Sequence, residues 1–121
     1  MSSSKKILIC DDEEGVRESL KLVLSDQYDL ILADGGQECL QILKNSKDIG
    51  LVLLDIKMPV VGGFDVLDQI KKDYPQLPVI MISGYRSVEA AGETTRLGGN
   101  DYIVKPFKST EILKTVARNL K

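Results

Sequence analysis

Short apolar segments of this chain end in side chains that could carry phosphoryl or metal chemistry. The acidic pair Asp11 and Asp12 follows the first segment, Asp55 the third, Ser83 the fourth and Lys105 the fifth. Three carboxylates gathered in one place repel one another unless a cation offsets their charge. Because oxygen ligands are what these residues offer, Mg²⁺ is the ion that fits them.

Each of these residues also has a local explanation. An acidic residue such as Asp12 can cap a helix, Ser83 can cap the next one, and Lys105 can extend its stem to solvent. Their joint occurrence at strand ends instead favours one shared site. In that site Asp55 is the candidate phosphoryl acceptor, and Mg²⁺, Lys105 and Ser83 would contact the phosphoryl oxygens.

The composition excludes several classes of catalytic and metal-binding site. The chain has no histidine, which excludes histidine-dependent nucleophilic triads, imidazole acid–base catalysis and histidine-ligated metals. Cys10 and Cys39 lie in apolar patterns, which indicates core residues of a protein in a reducing compartment, the cytoplasm. A formal net charge of −2 gives no electrostatic case for binding nucleic acid. No apolar stretch approaches the roughly eighteen residues of a membrane span, so we expect a soluble protein.

Five apolar runs predict the strands that position these side chains. They are Ile7–Cys10, Leu30–Ala33, Leu51–Leu54, Val79–Ile82 and Tyr102–Val104. None alternates with polar residues, which is typical of strands buried on both faces.

Helical patterns lie between the runs. Their apolar positions are Val16, Leu20, Val23 and Leu24; Leu40 and Leu43 within Gln37–Asn45; Phe64, Leu67, Ile70 and Tyr74; Val88, Ala91 and Leu97 within Ser87–Leu97; and Ile112, Leu113, Val116, Ala117 and Leu120. This regular alternation predicts one (βα)₅ domain with a parallel sheet and helices on both faces. We expect residues 5–120 to form its core and residues 1–4 to be disordered. In such sheets, ligands bind at the carboxyl ends of the strands.

An ordered set of motifs resembles the receiver domain of two-component response regulators. The motifs are Asp11-Asp12, Leu54-Asp55-Ile56-Lys57-Met58-Pro59, Ile82-Ser83-Gly84 and Asp101-Tyr102-Ile103-Val104-Lys105-Pro106-Phe107. The resemblance runs from Lys5 to Leu120. It implies a doubly wound, flavodoxin-like fold with strand order 2-1-3-4-5. It also implies a signalling switch that assists its own phosphorylation and dephosphorylation and is not a turnover enzyme.

The resemblance assigns roles around the acceptor. Asp55 would be phosphorylated by a histidine kinase or a phosphotransfer protein, since this chain has no histidine of its own. Asp12 and Asp55 would bind Mg²⁺ directly, Asp11 largely through water, and the backbone carbonyl of Lys57 would complete the protein ligands.

Further roles concern the response. Ser83 and Lys105 would bind the phosphoryl oxygens, and the Lys105–Pro106 peptide bond is expected to be cis. Ser83 and Tyr102 would form the switch, with the Tyr102 rotamer following phosphorylation. The surface of residues 87–102 would then change to control an output domain or a downstream protein, or to form a homodimer.

Two departures from the family pattern are visible. Where the family often has Met-Pro-Gly-Met-Asp-Gly, this chain reads Met58-Pro59-Val60-Val61-Gly62-Gly63, which lacks the acidic residue and predicts an altered loop. The fourth helical segment contains Gly92, Thr94 and Thr95. We expect that helix to be weakly held, because glycine costs about 1 kcal/mol relative to alanine in a helix.

Three other classes of protein share part of this pattern. An aspartyl phosphatase needs a second aspartate two residues after the nucleophile, where this chain has Lys57. A flavin- or nucleotide-binding module needs a phosphate loop after the first strand, where Asp11-Asp12-Glu13-Glu14 would repel phosphate. A receiver-like interaction module that works without phosphorylation remains the principal alternative.

Overall fold

A five-stranded parallel sheet with helices on both faces accounts for the part of the chain that this computed structural model describes, residues 5–84 and 88–120. The strands are β1 Lys6–Cys10, β2 Asp29–Ala33, β3 Ile49–Asp55, β4 Val79–Ser83 and β5 Asp101–Val104. The helices are α1 Glu14–Leu24, α2 Gly36–Asn45, α3 Gly63–Asp73, α4 Val88–Arg96 and α5 Ser109–Asn119. The predictions for residues 1–4 and for Ser87 fall outside the described residues.

The strand order is β2-β1-β3-β4-β5, and every neighbouring pair is parallel. The predicted doubly wound fold with order 2-1-3-4-5 is therefore confirmed. Leu54 lies opposite both Cys10 on β1 and Met81 on β4, so these three strands reach the same edge of the sheet together. That alignment brings the residues that follow the strands to one place.

Two apolar layers cover the sheet. Leu8, Val52, Leu54 and Met81 face one layer, together with buried residues of α2, α3 and α4. Ile7, Leu51, Leu53 and Ile80 face the other layer, together with buried residues of α1 and α5. Consecutive strand residues point to opposite faces, so both faces are apolar only if successive residues are apolar. This explains the lack of polar alternation in the sequence.

Burial on both faces was predicted for all five strands, and it is wrong for the two at the sheet edges. Every residue of β4 is buried, whereas β2 and β5 each have one fully buried residue, Ala33 and Ile103. Each edge strand has one neighbouring strand instead of two, so its side chains are covered less completely.

The predicted inward faces are largely correct for α1, α2, α3 and α5, whereas Val88 of α4, predicted to make apolar contacts, is exposed. Both cysteines are buried free thiols, as expected for core residues. In α2, Cys39 is fully buried while Leu40 is half-buried, and in α5 Ala117 is exposed instead of inward-facing. Within the described residues, no helix combines the length and the apolar composition that crossing a membrane would require.

Helix α4 buries little. Its buried residues are Ala90 and Thr94, and Val88 is 86% exposed. The Thr94 hydroxyl donates to the Ala90 carbonyl at 2.9 Å, and the Thr95 hydroxyl donates to Ala91 at 3.3 Å. Such bonds from a side chain to the preceding turn slightly destabilise and bend helices. These contacts agree with the expectation of a weakly held helix.

Gly92 gives a direct test of that weakness. It is exposed in the middle of α4, and an added Cβ would meet nothing within 4 Å. Gly92→Ala should therefore raise the free energy of unfolding by about 0.5–1 kcal/mol, because alanine loses less conformational entropy on forming a helix. Urea unfolding followed by circular dichroism measures the change.

Gly63 is the matched control for this substitution. A Cβ at Gly63 would collide with the carbonyl oxygen of Asp55, so Gly63→Ala should destabilise the fold. A Gly92→Ala variant that is less stable than the unmodified protein would show that α4 requires glycine for a reason other than space.

Candidate functional site

Backbone hydrogen bonds extend the sheet one residue beyond the ends of its strands. The Asp11 N–H donates to the Ala33 carbonyl at 3.1 Å, and the Lys105 N–H donates to the Ser83 carbonyl at 2.7 Å. Asp55, the last residue of β3, lies opposite Ile82. The side chains that the sequence singled out therefore start from rigid backbone, which limits how far each can move.

Three carboxylates meet at this edge. Asp11 and Asp55 are buried, and Asp12 is exposed beside them. One carboxylate oxygen from each lies within 4.8 Å of the others. The donors are all hard oxygen atoms and their charges repel, so the set fits a small divalent cation such as Mg²⁺.

The ammonium of Lys105 lies among these carboxylates. Its Nζ is 3.1 Å from Asp11 Oδ2, 3.3 Å from Asp55 Oδ1 and 3.6 Å from Glu13 Oε1. Burial lowers the pKa of Lys105, but the hydrogen bonds and charges of Asp11 and Asp55 outweigh burial and leave that pKa above its ordinary value. Lys105 is therefore a permanent cation at neutral pH.

Asp55 ionises less readily than an ordinary aspartate. Burial, then the neighbouring charge of Asp11, raise its pKa to about 6, although Lys105 opposes them. The carboxylate thus carries a desolvation cost that an added cation would reduce. Asp55 lines the crevice at the end of the sheet, and an ionised carboxylate there can act as a nucleophile.

Asp11 is held at four points. Its Oδ1 accepts from the Glu13 N–H at 2.9 Å, and its Oδ2 accepts from Lys105. Its backbone N–H donates to Ala33, and its backbone carbonyl accepts from Arg17 Nη1 at 2.6 Å. Glu13 and Arg17 were not identified from the sequence. The only feature of the sequence that could have pointed to these two residues is their position just after the acidic pair, at the start of a helix.

The remaining predicted site residues divide into two groups. Ser83, which is buried, and the exposed Lys57 line the same crevice of about 710 Å³ as Asp12, Asp55 and Lys105. Tyr102 lies away from it: the residue is half-buried on β5, opposite Met81, and packs against the core on the α2–α3 side.

The Lys105–Pro106 peptide bond is cis, as predicted from the resemblance. The loop after β3 contains a non-glycine residue with positive φ. Val60 has φ +69° and is 93% exposed, while the Val61 N–H donates to the Pro59 carbonyl at 2.8 Å. A β-branched residue is strained in this left-handed region, which glycine adopts freely.

Comparisons with known proteins agree with this geometry. Residues 7–117 match the response regulator receiver domain. The chain is 34% identical over 115 residues to the response regulator protein FleR of Pseudomonas aeruginosa, covering 94% of this chain and 24% of that protein. A putative NtrX-like response regulator of Rickettsia bellii is 36% identical over 115 residues, covering 93% of this chain and 24% of that protein. The chain thus spans about a quarter of the length of these curated relatives.

Solved structures show the same similarity. The chemotaxis protein CheY4 of Vibrio cholerae superposes with a TM-score of 0.91 at 28% identity, covering 98% of this chain and 100% of that one. The receiver domain of NtrX from Brucella abortus superposes with a TM-score of 0.89 at 36% identity, covering 95% and 98%. With the family match over residues 7–117 and these structural superpositions, this chain belongs to the response regulator receiver domain family.

Proposed function

We propose that this chain is a phosphorylation switch in which Asp55 accepts a phosphoryl group, and that residues 5–120 form the core of its receiver domain. Receiver domains are signalling switches, not turnover enzymes, and membership of the family supports a phosphorylation-dependent signalling role. The observation that carries the finer assignment is the position of Asp55. It is buried, it lines an open crevice, and it shares the Lys105 ammonium with the carboxylate of Asp11.

Mg²⁺ is the metal that we propose for this site. Asp12, Asp55 and the main-chain carbonyl of Lys57 would hold it, with Asp11 acting largely through water. The support is the set of carboxylate oxygens within 4.8 Å of one another, together with the position of Lys57 on the crevice wall. When bound, such an ion supplies positive charge to the oxygens of a phosphoryl group.

The chain's own residues divide the remaining work. Ionised Asp55 attacks the phosphorus through a carboxylate oxygen, and the leaving group departs with the electron pair of the broken bond. The Lys105 ammonium can keep its hydrogen bond to Asp11, at 3.1 Å, while it also donates to the phosphoryl oxygens. Ser83 offers its hydroxyl as a second donor. Neither group needs to exchange a proton, because the phosphoryl oxygens carry negative charge.

The donor and the output are proposed on chemical grounds. No histidine is present in the chain, so a phosphohistidine donor has to be another protein, a histidine kinase or a phosphotransfer protein. The curated relatives are about four times as long as the matched region, which supports control of an output domain. A downstream protein or a homodimer is the other form that the output could take. We propose the cytoplasm as the location.

Ser83 and Tyr102 are the proposed switch. A phosphoryl group adds negative charge and acceptor oxygens, toward which the Ser83 hydroxyl would move. Tyr102 would then rotate inward and change the surface of residues 88–102, which includes the lightly buried α4. Shifting a population from 1:99 to 99:1 takes about 5.5 kcal/mol. A few charge-assisted hydrogen bonds at roughly 1.5–3 kcal/mol each would suffice.

The acceptor assignment is tested by chemical phosphorylation. Incubation with acetyl phosphate and Mg²⁺ should add one hydroxylamine-labile phosphoryl group, measured by intact-protein mass spectrometry. Asp55→Asn should remove the label. Asp34→Asn is the matched control: Asp34 also follows a strand at this edge but is exposed and outside the carboxylate cluster. Stoichiometric labelling of Asp55→Asn would show that another residue is the acceptor. Failure of the unmodified protein to be labelled would favour an interaction module that works without phosphorylation.

The switch is tested by separating acceptance from transmission. Ser83→Ala should still be labelled at Asp55, but it should transmit the change poorly. The measurement is the set of NMR amide shifts of residues 88–102 that beryllofluoride, a mimic of the phosphoryl group, induces in each protein. We expect the shifts to shrink several-fold in Ser83→Ala. Shifts of unmodified size would rule out this route while leaving Asp55 as the acceptor.

The raised pKa of Asp55 predicts a pH dependence of stability in EDTA. Between about pH 4 and 6 the folded protein still binds a proton at Asp55 that the unfolded chain has released, so stability falls as pH rises through this window. Above it the penalty is complete, at most about 3 kcal/mol. Asp55→Asn removes the ionisation. The variant should therefore gain stability relative to the unmodified protein as pH rises from 4 to 7.5.

The measurement is urea unfolding of both proteins at each pH, and their difference cancels the other titrating groups. Asp26→Asn, which neutralises an exposed carboxylate between α1 and β2, is the control and should show no such trend. A constant difference between Asp55→Asn and the unmodified protein from pH 4 to 7.5 would contradict the raised pKa.

A further inference from the structure

We propose that Arg17 is a positioning residue for the metal site. It fixes the peptide unit that joins the two acidic residues Asp11 and Asp12, and so sets the direction of the Asp12 carboxylate. This inference rests on the function proposed above, because it assumes that Asp12 binds Mg²⁺. It assigns a role to a helix residue that contributes no ligand atom.

The contact is short and its donor is charged. Arg17 lies in the first turns of α1, and its Nη1 is 2.6 Å from the backbone carbonyl oxygen of Asp11. Its own N–H donates to the Glu13 carbonyl at 3.1 Å, which anchors the arginine backbone in the helix. Hydrogen bonds with an ionised donor are roughly twice as strong as neutral ones, and a guanidinium stays charged at every relevant pH.

The position of the acceptor atom explains why this bond matters. The Asp11 carbonyl belongs to the planar peptide unit that ends at the Cα of Asp12. On the other side of Asp11, the N–H is held by Ala33 of β2 at 3.1 Å. Rotation of the Asp11–Asp12 peptide would break the bond to Arg17. The arginine therefore fixes the backbone from which the Asp12 side chain extends.

Asp12 depends on its backbone more than the other two carboxylates do. Asp11 and Asp55 are buried and both contact Lys105, whereas Asp12 is exposed. Within the described residues, no packing holds the exposed Asp12 side chain, so the position and direction of its Cα–Cβ bond depend on the main chain alone. Loss of groups that orient metal ligands typically lowers metal affinity about 10–100-fold.

The charge of Arg17 and its positioning role predict opposite changes in Mg²⁺ affinity when Arg17 is replaced, which makes the inference testable. The positive charge of Arg17 stands near the carboxylates and opposes the binding of a cation. Removing the charge alone should tighten Mg²⁺ binding. Removing the hydrogen bond should weaken it, because the Asp11–Asp12 peptide is then free to rotate. A weaker affinity in a neutral variant therefore identifies the positioning effect.

The experiment measures Mg²⁺ dissociation constants by calorimetric titration, at a temperature where circular dichroism shows every variant folded. Arg17→Met should bind Mg²⁺ about tenfold more weakly than the unmodified protein. Lys21→Met is the matched control, since Lys21 is an exposed cation one turn further along α1. It should bind Mg²⁺ as tightly as the unmodified protein or slightly more tightly. An Arg17→Met affinity equal to that of the control overturns the inference.

A second measurement separates positioning from general damage. At saturating Mg²⁺, Arg17→Met should be labelled by acetyl phosphate at the unmodified rate, because Asp55, Ser83 and Lys105 are unchanged. A rate that stays low at saturating Mg²⁺ would contradict a role confined to metal placement. If Arg17→Met does not fold, Arg17→Gln replaces it, because glutamine is polar but too short to reach the Asp11 carbonyl.

Asp12→Ala distinguishes failure of this inference from failure of the proposed function. If Asp12→Ala keeps the Mg²⁺ affinity of the unmodified protein, the proposed metal site is wrong, and the inference about Arg17 is wrong with it. If Asp12→Ala loses Mg²⁺ while Arg17→Met retains it, the metal site stands and only the role of Arg17 is overturned.

Discussion

The ion pairs of Lys105 with Asp11 and Asp55 are the interaction on which the site depends. Burial and the charge of Asp11 raise the pKa of Asp55, and the Lys105 ammonium, 3.1 Å from Asp11 and 3.3 Å from Asp55, lowers it. The compensation is incomplete, as the raised pKa of Asp55 shows. The Asp55 carboxylate therefore carries an unfavourable cost of burial and of charge repulsion, and the rest of the fold has to tolerate it.

The tolerance comes from the way the sheet is built. Asp11 and Asp55 lie at the ends of β1 and β3, whose side chains are packed into apolar layers on both faces, so a repulsive cluster at the edge cannot relax by moving the backbone. By contrast, α4 buries only Ala90 and Thr94. Rigid strands next to a lightly packed helix divide the molecule into a part that holds the reacting groups and a part that can change.

The apolar runs predicted the strands and the residues that meet at the sheet edge, because an unbroken apolar run followed by a polar residue is a local signal. The strand order followed from the resemblance to receiver domains. The sequence did not predict the exposure of β2 and β5, which depends on which strands lie at the edges. It also missed Arg17, because a hydrogen bond from a helix side chain to the carbonyl of Asp11 leaves no pattern in composition or spacing. The sequence alone did not predict interactions between residues that become neighbours only in the folded chain.

Val60 has a consequence for engineering this domain. Its left-handed backbone costs a β-branched residue roughly 1–2 kcal/mol, and its side chain gains little in return because it is almost wholly in solvent. Glycine would relieve the strain in the folded state but would raise the conformational entropy of the unfolded chain. The net change in folding stability is the difference between these two effects, which are of similar size. Asparagine tolerates the same backbone with less of that entropic loss. In a thermostability library, position 60 is therefore one where a small polar residue competes well with both valine and glycine.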